Sequence, residues 1–222
     1  MAKAPAKKKT PAKKAPAKKP DENVIIPKPK EQPTPPPMPM PQPPQQPKKP
    51  GEILFMDKEF NQENCMPLVR AIMEYNMMPE AQQPEAIRLY INSPGGHVHS
   101  AFHLIDTIKQ SKIPVHTYGM GMIASCGVLL MMSGAKGHRY ITQNTSVMSH
   151  QYAWGSSGKE HELFAVIKEF ELSTERMIEH YKKCTGKNET YIRKYLLPES
   201  DQWLTAEETV KHGIADKIIQ TY

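Results

Sequence analysis

From Ile53 onward, short apolar runs alternate with stretches whose apolar residues recur at helical spacing. That alternation limits the fold more than any other feature of the chain. "EILFM" reads as a strand. "NCMPLVRAIMEYNMM" follows with Met66, Val69, Ile72, Met73 and Tyr75 spaced for one helix face. "AIRLYIN" reads as a buried strand stopped by "SPGG", "VHSAFHLIDTIKQS" as an amphipathic helix, and "PVHTYGMG" as a further strand. "ASCGVLLMMSG" reads as a helix closed by Gly134, and "HRYITQ" and "SVMSHQYA" as short strands. A long helix is expected from roughly His161 to Cys184, and "TAEETVKHG" is a last helix with a Thr cap and a Gly stop. Strand–helix alternation of this kind predicts α/β layers around a mainly parallel sheet.

The first fifty residues are of another kind. They hold 12 Lys against 3 acidic residues, which gives +9. The whole chain is +6, so residues 51–222 carry −3, and the basic balance belongs to the tail. The tail also holds 16 of the 22 prolines. Repeats such as "AKKKTPAKKAPAKKP" cannot bury enough apolar surface to offset chain entropy, which predicts a disordered tail over 1–50 and a folded domain over 51–222. "PTPPPMPMPQPPQQP" favours an extended, semi-stiff spacer. The Lys blocks suit a polyanion such as nucleic acid through phosphate neutralisation, or serve only as a solubilising tether. No aromatic residue interrupts them to stack on bases.

The N-terminus has no apolar stretch of a secretory signal, and the longest apolar run, Val128 to Met132, is too short to span a bilayer. Cys65, Cys126 and Cys184 are odd in number and lack metal-ligand spacing. A reducing, cytoplasmic compartment, no membrane and no metal are therefore expected.

Two strand-to-turn junctions can carry chemistry. In "INSPGG" a strand runs into Gly95 and Gly96, and the helix beyond leaves amide N–H groups free to hold an oxyanion. Taken alone, the motif favours a plain tight turn over that role. In "GMIASCGVLLMM", Ser125 is a helix starter, a core hydroxyl or a nucleophile whose neighbour Cys126 offers a parallel N–H. A serine nucleophile needs a base within reach. Of nine histidines, His161, His180 and His212 are placed on polar helix faces and His138 in a charged turn, while His97 and His99 follow the glycines. His150 differs, since it ends the β-like run "SVMSH" and opens a loop. An orienting carboxylate is then required, and Asp201 in "ESDQWLT" is one candidate among many acids.

"LYINSPGGHV", "GMIASCGVLLMMSGAKGHRY", "SVMSHQ" and "SDQWLTAEETVKHGIAD" occur in that order and near-expected spacing. Together they resemble the proteolytic subunit of Clp, a self-compartmentalised serine protease, over about Glu52 to Ile219. The resemblance implies an α/β fold of ClpP/crotonase type, built from repeated β-β-α units with a protruding handle helix. It makes Ser125 the nucleophile, His150 the general base and Asp201 the orienting acid, with Gly96 and Cys126 N–H groups as the oxyanion hole. Extended substrate would lie along Gly95, Gly96, His97, Val98, Gln151 and Tyr152. It further implies serine endopeptidase activity without a cofactor on unfolded or small protein substrates. The long helix after "WGSSGKE" matches the handle by which two heptameric rings stack into fourteen subunits.

The chain departs from that family at three places. Cys126 stands where Met is usual, and Tyr152 replaces the Pro of His-Gln-Pro. The tail lacks the apolar segment that meets a hexameric AAA+ unfoldase, which argues against that partner. Two other classes compete: a crotonase-type acyl-CoA enzyme, and a catalytically idle ring subunit whose lysine tail serves a nucleoprotein partner.

Overall fold

Residues Ile87, Leu89, Ile91 and Ser93 are buried while Arg88 and Asn92 are exposed, so this strand shows one face to a helical layer and the other outward. The computed structural model describes residues 51–153, 155 and 159–220, all within the unit Pro44–Tyr222. The predicted tail, 1–50, lies outside the described residues, as does most of "WGSSGK". Strand β1 (Glu52–Met56) leads to α1 (Gln62–Met77), β2 (Ile87–Ser93), α2 (Val98–Gln110), β3 (Val115–Ala124) and α3 (Cys126–Met132). Then come β4 (Arg139–Thr142), β5 (Ser146–Ser149), α4 (Glu160–Thr185), α5 (Glu189–Tyr195), β6 (Gln202–Leu204), α6 (Ala206–Lys211) and β7 (Lys217–Ile219).

The sheet runs β1-β2-β3-β4-β7, with every neighbour parallel. β3 is long enough to change partners. Its first half pairs with β4, and Met122–Ala124 pair with β5 instead. β5 in turn takes β6 antiparallel. The expected α/β fold with a mainly parallel sheet is present, and α3 is its hub. Every residue of α3 is buried, as a helix apolar all round must be.

"AIRLYIN", expected as a buried strand, is buried on one face only. The register aligns Phe55, Tyr90, Tyr118 and Tyr140 across four strands, and their rings stack at 5.6, 4.8 and 4.9 Å. On the other face of β2, Ile87, Leu89 and Ile91 are buried. Strand-forming aromatics satisfy a half-exposed face as well as a buried one, which is why composition alone misses the difference.

Three further expectations change. Helix α1 starts at Gln62, two residues early, because Asn61 Oδ1 accepts the Asn64 N–H at 2.8 Å. Gly134 does not cap α3. Ser133 does, and Gly134 is there because a Cβ would stand 2.4 Å from Thr117 Oγ1. His180 sits in the core, not on a polar face: its Nε2 meets the Leu129 carbonyl at 2.9 Å, and burial lowers its pKa to about 4. The short α5, β6 and β7 escape the sequence pattern altogether.

Near the end of the chain, Arg139 is 1% exposed and bonds both carboxylate oxygens of Asp216. The Gly137 and Arg139 amides add to Asp216 Oδ2. Burial alone would raise the Asp216 carboxyl, but the Arg139 hydrogen bonds and charge outweigh it and hold it at about 2. No helix among the described residues is long and apolar enough to cross a membrane.

Candidate active site

β3 ends at Ala124 and α3 begins at Cys126, so Ser125 alone turns strand into helix. Among the described residues it is the one non-glycine with positive φ, at φ 55 and ψ −118. Backbone of that kind costs on the order of 1–3 kcal/mol and persists only where its surroundings hold it. They do so here. The Ser125 N–H donates to the Met148 carbonyl at 2.8 Å, and its own carbonyl accepts from Val128 at 2.9 Å.

The imidazole arrives from the neighbouring strand. Ala124 pairs with Met148, and His150 follows two residues later. Ser149 between them is fully buried, donates to the Leu196 carbonyl and meets the Tyr181 hydroxyl at 2.7 Å. With Ser149 anchored, His150 leaves the sheet on a fixed heading, and its Nε2 lies 2.7 Å from Ser125 Oγ. Both groups thus stand at the carboxyl ends of adjacent parallel strands, where open α/β sheets present their clefts. A neutral imidazole there can take the hydroxyl proton.

Asp201 is exposed and immediately precedes β6. Ser149 pairs with Gln202, so one more step of the antiparallel register sets Asp201 opposite His150. Among the described residues no hydrogen bond joins the two side chains. The structure therefore unites the hydroxyl and the imidazole, and among the described residues shows no bond from either of them to the Asp201 carboxylate.

Gly95 and Gly96 have φ 100 and 139. A Cβ on Gly95 would lie 2.5 Å from Ser125 Cβ, and one on Gly96 2.5 Å from the Phe60 carbonyl oxygen. Only glycine lets this loop press against the serine turn. The Cys126 N–H opens α3 and has no partner within the helix. The Cys126 thiol donates to the Gly96 carbonyl at 3.2 Å. Burial pushes that thiol up to about 11, so it stays protonated and un-nucleophilic near neutral pH.

A hollow of about 230 Å³ opens beside the hydroxyl, with Val98, Leu129, Met177 and Tyr181 among its walls. Gly96, Gln151 and Tyr152 also line it. Gln151 Nε2 donates to the Leu197 carbonyl at 3.1 Å, and the Tyr152 ring stacks on Phe170 at 5.5 Å. Gly95 and His97 do not line it. His97 is exposed, and His99 Nε2 stands 3.2 Å from Glu169. Met177 and Tyr181 have no sequence signal of their own, because the long helix reads as a handle and nothing marks its second half as a pocket wall. Among the described residues no cluster of three or more His, Cys, Asp or Glu could hold a metal ion.

The sequence model of Clp protease matches residues 51–222. The chain belongs to the Clp protease family. Membership makes it a ClpP-like peptidase of the serine class, and the mixed α/β architecture with its central sheet is consistent with the fold of that family. A resemblance carried by four separated motifs thus extends over the whole described region.

Proposed function

We propose that this Clp-family chain is a serine endopeptidase acting by acyl-enzyme chemistry. The observation that carries the reading is the 2.7 Å approach of His150 Nε2 to Ser125 Oγ at a strained strand-to-helix turn. Ser125 attacks the scissile carbonyl while His150 removes its proton. The N–H groups of Gly96 and Cys126 hold the developing oxyanion, each donor contributing roughly 2.7–4 kcal/mol in comparable hydrolases. His150 then protonates the leaving amine, and water repeats the sequence on the ester. Asp201 fixes the imidazole tautomer once its side chain meets Nδ1.

The substrate is an extended polypeptide pairing by backbone beside Gly95–Val98 and Gln151–Tyr152. The walls of the hollow favour a mid-sized apolar side chain at P1, such as Leu or Met. Self-assembly into stacked rings is supported by the exposed apolar residues Phe164, Ile167 and Leu172 on α4, which a monomer would leave in water. A reducing compartment suits three free cysteines. Within that assembly the Lys-rich tail takes a polyanionic partner.

A fluorogenic peptide with Leu at P1 tests the reading. Cleavage by the full-length protein, absent in S125A and H150A, is expected. No cleavage by the assembled protein, with turnover of crotonyl-CoA in its place, would turn the assignment toward the acyl-CoA class.

A further inference from the structure

Resting on the peptidase reading, we propose that Ser93 and Phe60 are positioning residues. Together they lock the Gly95–Gly96 peptide so that the Gly96 N–H faces the oxyanion site. Both lie outside the set that touches substrate.

The need for a lock follows from the two glycines. The peptide plane between them turns about ψ of Gly95 and φ of Gly96, and no Cβ resists its rotation. A half-turn would present the Gly95 carbonyl where the amide should be and set a dipole of the wrong sign against the oxyanion. Nothing within the loop itself prevents this.

The segment between β1 and α1 does. The Phe60 N–H donates to the Gly95 carbonyl at 2.7 Å, and the Phe60 carbonyl accepts the His97 N–H at 2.6 Å. Across a trans peptide the N–H points opposite to the carbonyl, so tying Gly95 O to Phe60 aims Gly96 N–H away from Phe60. The Ser93 hydroxyl completes the lock. It donates to the Lys58 carbonyl at 2.5 Å and accepts the Gly95 N–H at 3.2 Å, joining strap and loop through one buried oxygen. Ser93 is 0% and Phe60 1% exposed, so the core fixes both ends. The Cys126 thiol donates to the next carbonyl, that of Gly96.

The test uses the full-length chain and compares S93A with the milder F60L, which keeps the main-chain bonds but loosens their anchor. Three quantities are measured: steady-state peptide hydrolysis, inhibition by a peptide aldehyde whose serine adduct carries an oxyanion, and inhibition by a product peptide whose terminal carboxylate is replaced by hydrogen, which carries none. For S93A we expect kcat to fall about 10–100-fold, with KM within about 2-fold, since one hole donor is misaimed rather than removed. The aldehyde should weaken by the same factor as kcat and the product not at all, with F60L moving the same way by less. A purely structural role would weaken both inhibitors together or lower the melting temperature in step with activity. That pattern, or an unchanged kcat in S93A, overturns the proposal. A wild-type protein without Ser125-dependent turnover overturns the peptidase reading instead.

Discussion

Ser125 and His150 are 25 positions apart in the chain, yet Oγ and Nε2 approach to 2.7 Å because Ala124 and Met148 are register partners in adjacent parallel strands. The pair is a product of strand order. β3 must leave β4 and take up β5 for it to form. Any change that slips β5 by one residue would turn the imidazole to the other face.

Strain at the turn is separable from chemistry. S125A and S125G should both lose at least about 10³-fold in peptide hydrolysis, as loss of a serine nucleophile does. S125G should nevertheless unfold about 1 kcal/mol later than S125A, because glycine relieves the positive φ. Denaturant titration of the two variants measures this. Equal stability would mean the turn is unstrained.

Gly95 allows a contact that no other residue can. G95A places a methyl 2.5 Å from Ser125 Cβ at φ 100. The variant should lose both activity and about 1–3 kcal/mol of stability, read by paired hydrolysis and melting measurements.

Asp201 tests the third member of the set. D201N should lower kcat about 10²–10⁴-fold with little change in oligomeric state, since an unenforced tautomer disables the base. An effect under about 3-fold in the assembled protein would remove Asp201 from the mechanism, whatever its effect on KM.

Acid should act in two separate windows. His180 is held at about 4 by burial, below its ordinary 6.5, so its contribution is complete above 6.5 and is lost as pH falls toward about 4. Asp216 is held at about 2, below its ordinary 3.8, so its contribution is complete above 3.8 and disappears as pH falls through about 2. D216N should remove the lower window and cost about 3 kcal/mol at neutral pH by stranding buried Arg139. H180Q should flatten the upper window. Unfolding free energies between pH 7 and pH 2 check both.

Assembly predicts a size. Fourteen copies of a 25.2 kDa chain give about 350 kDa by native mass measurement, against a single-chain mass if the apolar residues of α4 have no counterpart.

Strand–helix alternation and turn glycines were enough to read the fold class, because periodicity and punctuation are local properties. Ser125 and His150 were legible as a pair only through four motifs in register, since nothing near either residue announces the other. What escaped is long-range. Phe60 acts through its main chain, which carries no sequence signature, and Met177 and Tyr181 look like ordinary helix-core residues until the pocket is closed around them. His180 was misplaced for a related reason: a polar-looking helix position becomes core when α3 packs on it and offers the Leu129 carbonyl. The outward aromatic row needed the sheet register, because exposure of one strand face is decided by what the other layers leave uncovered.

The most direct measurement is intact-mass and peptide mapping after treatment with a fluorophosphonate probe. The account predicts one adduct per subunit, on Ser125, formed by the wild-type protein and lost in S125A and H150A. An adduct on Cys126, an adduct that survives S125A, or no adduct in the folded oligomer would contradict it.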